Sequence, residues 1–330
     1  LDMIPKNNQD DAIRVDNLLE LAQRQGLKTG IVTDTALTHG TPAAGYAHTQ
    51  NRRNYASSDN NHPDIATQLI ESDIDVALGG GLRHFVPKND VPLDKARYWE
   101  VMRSDNKNLT MRWEDNGGQF VTKANQLDAI DLKKRLLGLF APDHLEWVDN
   151  RPKDQPTLKA MAKAAITHLN YDNKKGYVLL IESGLADHAN HLNDAKSAIA
   201  QVLDADQTLH YLLQNTIPQE TLLIVTADHS HAMMLAGNAG IDNPILGPIY
   251  SFDPVSGRVT KNKKPQKIES LITYANGPGT PFPSLYQRNR STHSLSMVLA
   301  MASGPGSEIF RGIHSNTMIF TNICELVTWC

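Results

Sequence analysis

Short apolar runs along this chain alternate with segments whose apolar residues recur every three or four positions. That alternation is the signature of strands buried beneath helices. Residues 15–26 place Leu18, Leu19 and Ala22 on one stripe and run into Gly26, a helix stop. Residues 29–33 read as a buried strand, and Pro42, after Thr41, suits the first turn of a second helix because its φ is already fixed. A helix is expected at 64–70 and a strand at 76–78, which ends in Gly79-Gly80-Gly81. That glycine run matches no phosphate-loop pattern and reads as a turn. A helical stripe resumes at 156–169, followed by a strand at 177–181. One long helix then carries Leu192, Ala195, Ile199, Val202, Leu209 and Leu213 on one face. Strands are expected at 222–225 and 296–302, the latter closed by Gly304-Pro305. Residues 88–128 are polar and irregular, and read as an excursion or lid. With no internal repeat and no low-complexity linker, the pattern predicts one α/β domain over residues 1–330.

Composition narrows the partners more than the fold. A formal net charge of −4 over 330 residues gives no basic excess for nucleic acid or an anionic membrane surface. No apolar run approaches the roughly 20 residues needed to span a bilayer, and none has the form of a secretion signal. The two cysteines, Cys324 and Cys330, are too few to build a zinc site alone. The spacing leaves open whether they pair with each other.

Three segments carry chemistry. Ile181-Glu182-Ser183-Gly184-Leu185-Ala186-Asp187-His188-Ala189-Asn190-His191 follows a buried strand directly, so Glu182 sits where open α/β sheets collect ligands. Asp187 and His191 are four apart at the start of a helix and can face one ion. Thr226-Ala227-Asp228-His229-Ser230-His231 also follows a strand and offers one oxygen and one nitrogen ligand. Ser291-Thr292-His293 supplies a third histidine ahead of the late strand. Each piece alone is common by chance. Together, carboxylate and imidazole without thiolate suit catalytic zinc, with magnesium preferring an all-oxygen position.

In order and spacing these segments resemble the metal-binding segments of alkaline phosphatases. The likeness extends through Gly30-Ile31-Val32-Thr33, Thr38-His39-Gly40-Thr41-Pro42-Ala43-Ala44, Ala47-His48, Asn51-Arg52, Asn243-Pro244-Ile245-Leu246-Gly247 and Ser303-Gly304-Pro305. The resemblance implies a three-layer sandwich, with a mostly parallel sheet between helices on both faces. It implies hydrolysis of small phosphate monoesters with two zinc ions and one magnesium. Asp187, His191 and His293 would hold the first zinc. Asp228 and His229 would belong to the second, and Glu182 and Thr41 would hold the magnesium with His39 beside it. Arg52 would grip the phosphate. A homodimer and a periplasmic or extracellular address are also implied.

Some positions depart from the family pattern. The family's serine nucleophile lies in an Asp-Ser-Ala segment that this sequence does not contain, and the expectation is a chain that begins after it. Leu185 and Ala186 precede Asp187 where the family has a polar residue and Ile, and Ser294-Leu295-Ser296 replaces a Gly-Gly-Glu type of turn. Two other readings accompany the phosphatase. One is a non-catalytic protein that keeps metal or phosphate, and the other a metallo-phosphodiesterase that uses metal-bound water in place of serine.

Overall fold

A computed structural model describes residues 3–4, 13–56, 63–90, 103, 105–235, 238–260, 271–274 and 291–327. Cys330 and residues 91–102 of the expected excursion lie outside that set. The chain folds into two compact units. The first is Leu1–Gly184 with Asp204–Thr216 and Thr317–Cys330, and the second is Leu185–Leu203 with Ile217–Asn316.

In the first unit a short antiparallel pair, β1 (Met3–Ile4) and β2 (Ile13–Arg14), precedes α1 (Leu18–Arg24). The helix begins at Asn17, whose side chain accepts from the Glu20 N–H while the Glu20 carboxylate accepts from the Asn17 N–H, a reciprocal cap. The central sheet takes β3 (Lys28–Ala36), β4 (Val76–Gly80), β5 (Gln119–Val121), β6 (Leu136–Leu139) and β7 (Tyr177–Glu182). Its order is β5-β6-β4-β3-β7, and every pairing is parallel. Ile31, on one face of β3, packs in a cluster with Leu19 of α1, Ala43 of α2 (Gly40–Ala44), Leu69 of α3 (Ile65–Glu71) and Trp113 of α4 (Leu109–Asp115). On the other face Gly30 lies against Leu169 of α5 (Leu158–Asn170). Alternation along one strand therefore buries both faces under helices, as an all-parallel sheet requires.

The chain leaves β3 toward β4 on one side and returns to pair β7 on the other. The carboxyl ends of β3 and β7 thus form a topological switch point, the place where such sheets bind ligands.

Two expectations are corrected here. The stretch read as irregular holds α4 and β5, so it contributes a core tryptophan and a strand of the central sheet. The long helix is two, α6 (Leu185–His191) and α7 (Ala195–Asn215). Asn193 takes a left-handed φ of 59° at the break, and Asp194 caps the new helix by accepting from Ser197 N–H and Oγ–H. The buried stripe of α7 is also not the apolar one. Gln201, Asp204, Thr208 and Leu212 face inward, whereas Leu192, Val202 and Leu213 are about half exposed. Asp204 is drawn in by a 2.9 Å ion pair with Arg151.

The second unit contains α6, β8 (Leu223–Thr226), β9 (Ser230–His231), β10 (Met233–Leu235), β11 (Ile272–Tyr274), β12 (His293–Ser294) and β13 (Ala300–Ser303). These strands pair antiparallel in twos: β8 with β13, β9 with β12, β10 with β11. The remaining helix, α8 (Met318–Val327), carries Cys324 and belongs to the first unit. No helix among the described residues is long and apolar enough to cross a membrane.

Candidate metal centre

Register builds the centre in the second unit. Antiparallel pairing sets His231 of β9 opposite His293 of β12 and Ser230 opposite Ser294. Because alternate residues point to opposite faces, the two imidazoles share one face, while the two serine hydroxyls meet at 2.6 Å on the other. One turn of α6 brings Asp187 and His191 to the same place, with Asp187 Oδ2 3.4 Å from His191 Nε2. Asp187 Oδ1 lies 3.4 Å from His231 Nε2 and 3.3 Å from His293 Nε2, and the His191 and His293 Nε2 atoms are 3.1 Å apart. One donor atom from each of Asp187, His191, His231 and His293 falls within 4.8 Å of all the others.

These spacings fit a metal. Four donors at the usual 2.0–2.2 Å from a tetrahedral zinc stand about 3.3–3.6 Å from one another. A second observation agrees: Asp187 Oδ1 and His231 Nε2 are buried and make no hydrogen bond. Burying such atoms unpaired costs about 1–3 kcal/mol each, a cost that an ion between them would remove. Burial, the dominant cause, pushes the His231 imidazole down to about 4, against an opposing pull from Asp187. His293 is also lowered, first by burial and then by the neighbouring His229. Both rings are thus held neutral near pH 7, the state that offers a lone pair.

His229 stands beside this group, with Nε2 3.3 Å from Asp228 Oδ2 and 3.9 Å from Asp187 Oδ1. Its ring stacks on His293 at a centroid distance of 3.4 Å.

The first unit gathers the remaining expected residues differently. At the switch point Glu182 Oε2 accepts from Thr33 Oγ1 at 2.5 Å and from Thr35 Oγ1 at 3.0 Å. Gly184 makes room for this: a Cβ there would stand 2.5 Å from the Thr35 methyl and 3.0 Å from Glu182 Oε1. Asp34, fully buried, accepts from the Gly184 N–H at 2.7 Å. His39 lies edge-on to His144, and Thr41 is exposed at the start of α2. The exposed Arg52 lays its guanidinium over Gly40, where a Cβ would come within 3.0 Å of Nη2. Among the described residues, Glu182 and His39 take part in no group of three or more His, Cys, Asp or Glu side chains at metal-binding distance.

The family model for alkaline phosphatase matches residues 7–328. The chain belongs to the alkaline phosphatase family. It is 32% identical to the tissue-nonspecific alkaline phosphatase of Gallus gallus, over 92% of its own length and 64% of that protein's. It is likewise 32% identical to an alkaline phosphatase of Gadus morhua, over 94% of this chain and 71% of that one. In fold it resembles the alkaline phosphatase of the Antarctic bacterium TAB5, with a TM-score of 0.67 at 24% identity over 96% of this chain and 77% of that one. A variant of that bacterial enzyme has been solved with Mg bound. The chain therefore spans just under two thirds of the Gallus gallus relative it matches.

Asp187, His191 and His293, expected at one ion, lie in one group together with His231. Sequence reasoning quoted His231 without giving it a role. The missed signal was the alternation His229-Ser230-His231, whose second imidazole needs only a partner strand to place it.

Proposed function

We propose that this protein hydrolyses phosphate monoesters in a metal-dependent reaction, through a phosphoserine in the intact protein. The observation that supports the reading is the convergence of Asp187, His191, His231 and His293 within 4.8 Å of one another, with Asp187 Oδ1 3.3–3.4 Å from two of the imidazoles, in a chain of this family. In this reading the centre takes zinc, and Asp228 with His229 serves a second zinc. Glu182 and Thr41, both oxygen donors, take magnesium with His39 beside it. Bound metals would supply positive charge for the phosphoryl oxygens during in-line displacement.

The chain's own residues do the rest. Asp187 presents one oxygen to several imidazoles and fixes their spacing. The hydroxyls of Thr33 and Thr35 both donate to Oε2 of Glu182 and hold its carboxyl group in one orientation. Arg52, exposed and resting on Gly40, offers a planar fork to two phosphoryl oxygens. The nucleophile of this reading is a serine in an Asp-Ser-Ala segment, a tripeptide absent from the 330 residues. The work would be done in the periplasm or outside the cell.

The test is p-nitrophenyl phosphate hydrolysis at alkaline pH with zinc and magnesium supplied and a chelator control. Protein carrying an Asp-Ser-Ala segment should turn over in a chelator-sensitive way. The 330-residue chain by itself should bind zinc without turnover. Turnover that survives chelation, or a preference for diesters over monoesters, would overturn the proposal.

A further inference from the structure

Ser291 is buried, and all of its polar atoms are spent on the histidines of the metal centre or on the helix that carries one of them. Its carbonyl oxygen lies 2.8 Å from His191 Nδ1, and its N–H donates to the His191 carbonyl at 3.2 Å. Its hydroxyl donates to the Asn190 carbonyl at 2.5 Å, and the same oxygen lies 3.2 Å from His231 Nδ1. A carbonyl only accepts, so His191 must carry its proton on Nδ1 and present a bare Nε2 to Asp187 and His293. A hydroxyl has one proton. With that proton committed to Asn190, Ser291 Oγ can only accept from His231, and a bond between them calls for the His231 proton on Nδ1 and a bare Nε2.

We infer that Ser291 is a positioning residue that sets the tautomers of two metal-facing imidazoles at once, His191 through its backbone and His231 through its hydroxyl. Outer partners of ligating histidines fix which ring nitrogen faces the ion, and their loss costs about 10- to 100-fold in metal affinity. A competing contact gives the hydroxyl its importance: the Ala232 N–H also approaches His231 Nδ1, at 3.2 Å. That donor favours a bare Nδ1, which would put the proton on Nε2, pointing at Asp187 Oδ1 3.4 Å away. A ring in that form has no lone pair for an ion. The two partners stand at the same distance from Nδ1, so the Ser291 hydroxyl is what makes the Nδ1–H form available, and the centre needs that form.

The inference rests on the cluster being a metal centre, and the experiment separates the two ideas. Zinc affinity is measured by competition with a chromophoric chelator for the wild-type chain, Ser291→Ala and Ser291→Thr. Nitrogen-15 spectra of the metal-free proteins at pH 8 report which His231 nitrogen is protonated. Ser291→Ala keeps the backbone bonds to His191, so it is expected to weaken zinc binding about 10- to 100-fold and to move the His231 proton from Nδ1 to Nε2. Ser291→Thr restores the hydroxyl and should return both readouts toward wild type. Zinc bound by wild type and Ser291→Ala within twofold, with His231 unchanged, would overturn the inference while leaving the metal centre intact. A wild type that binds no zinc would overturn the centre itself, and the inference with it.

Discussion

Asp187 and Glu182 are two carboxylates from one continuous stretch of sequence, and they are furnished in opposite ways. Glu182, at the end of β7, takes two threonine hydroxyls on one oxygen. Asp187, in the first turn of α6, keeps an oxygen that is buried and accepts no hydrogen bond, among imidazoles 3.3–3.4 Å away. Both look alike in sequence, as acids after a strand. What separates them is where their lone pairs go. A carboxylate satisfied by protein donors is stable in place without help, whereas one left bare in a nest of neutral imidazoles is stable only with a cation.

The strongest way to break this contrast is Asp187→Asn. Apparent zinc binding of about 10–16 kcal/mol shared among four ligands gives roughly 2.5–4 kcal/mol for each. Zinc affinity, read by chelator competition, should therefore fall about 100- to 1,000-fold. The metal-free variant should melt no lower than wild type, since it loses a half-buried charge whose Oδ1 had no donor. A variant that bound zinc as tightly as wild type would mean that the cluster is not the site.

Glu182→Gln should do the reverse. An amide oxygen accepts the two hydroxyls less strongly than a carboxylate does. Chemical denaturation of the metal-free protein should show a loss of about 1.5–3 kcal/mol, the range for a hydrogen bond to a charged group. Zinc affinity should stay within about threefold, while any stimulation by magnesium disappears. Equal effects of the two variants on both readouts would dissolve the contrast.

The same difference explains what could be read from sequence. Strand ends were legible because β3, β4, β7 and β8 are apolar runs bounded by Gly or by polar chemistry, and those ends carry Glu182 and Asp228. The helix pair of Asp187 and His191 was legible from spacing alone. The fourth imidazole was not, because His231 reaches the site only through its register with His293, a pairing 62 positions apart that no local period records. β5 escapes because three residues are too few to show alternation, and α4 is missed as well, although the Asn108 side chain caps it by accepting from the Met111 N–H. The face of α7 was misjudged because Asp204 turns inward to Arg151, an ion pair that overrides the apolar stripe.

A buried histidine outside the centre sharpens the contrast from another side. His84 shares a 2.6 Å hydrogen bond with Thr38 Oγ1, and Tyr55 stacks on its ring. Burial first, then the charges of Arg83 and Arg103, hold its pKa well below the ordinary 6.5. Below pH 6.5 the unfolded chain takes up a proton that folded His84 refuses. Its contribution is therefore complete above about pH 6.5 and is lost as pH falls. That one group should add up to about 1.4 kcal/mol per pH unit to the slope of stability. Denaturation of the metal-free protein at pH 7 and pH 5.5 should show a shallower slope for His84→Gln than for wild type, and equal slopes would refute this account.

The smallest effect tests the threonine pair. Thr33 Oγ1 stands 2.8 Å from Thr35 Oγ1 and accepts from the Thr35 N–H at 2.9 Å, so the two hydroxyls form one unit around Glu182. Thr35→Val removes the longer bond to the carboxylate, at 3.0 Å, and keeps the 2.5 Å one from Thr33. The isosteric swap fills the same space, so its cost should be one hydrogen bond, about 1 kcal/mol in the metal-free protein. Thr33→Val, which takes the shorter bond and the acceptor of the Thr35 N–H together, should cost more than its neighbour. If instead both valine variants left stability unchanged, Glu182 would not depend on its hydroxyl partners, and the satisfied carboxylate would be no better anchored than the bare one.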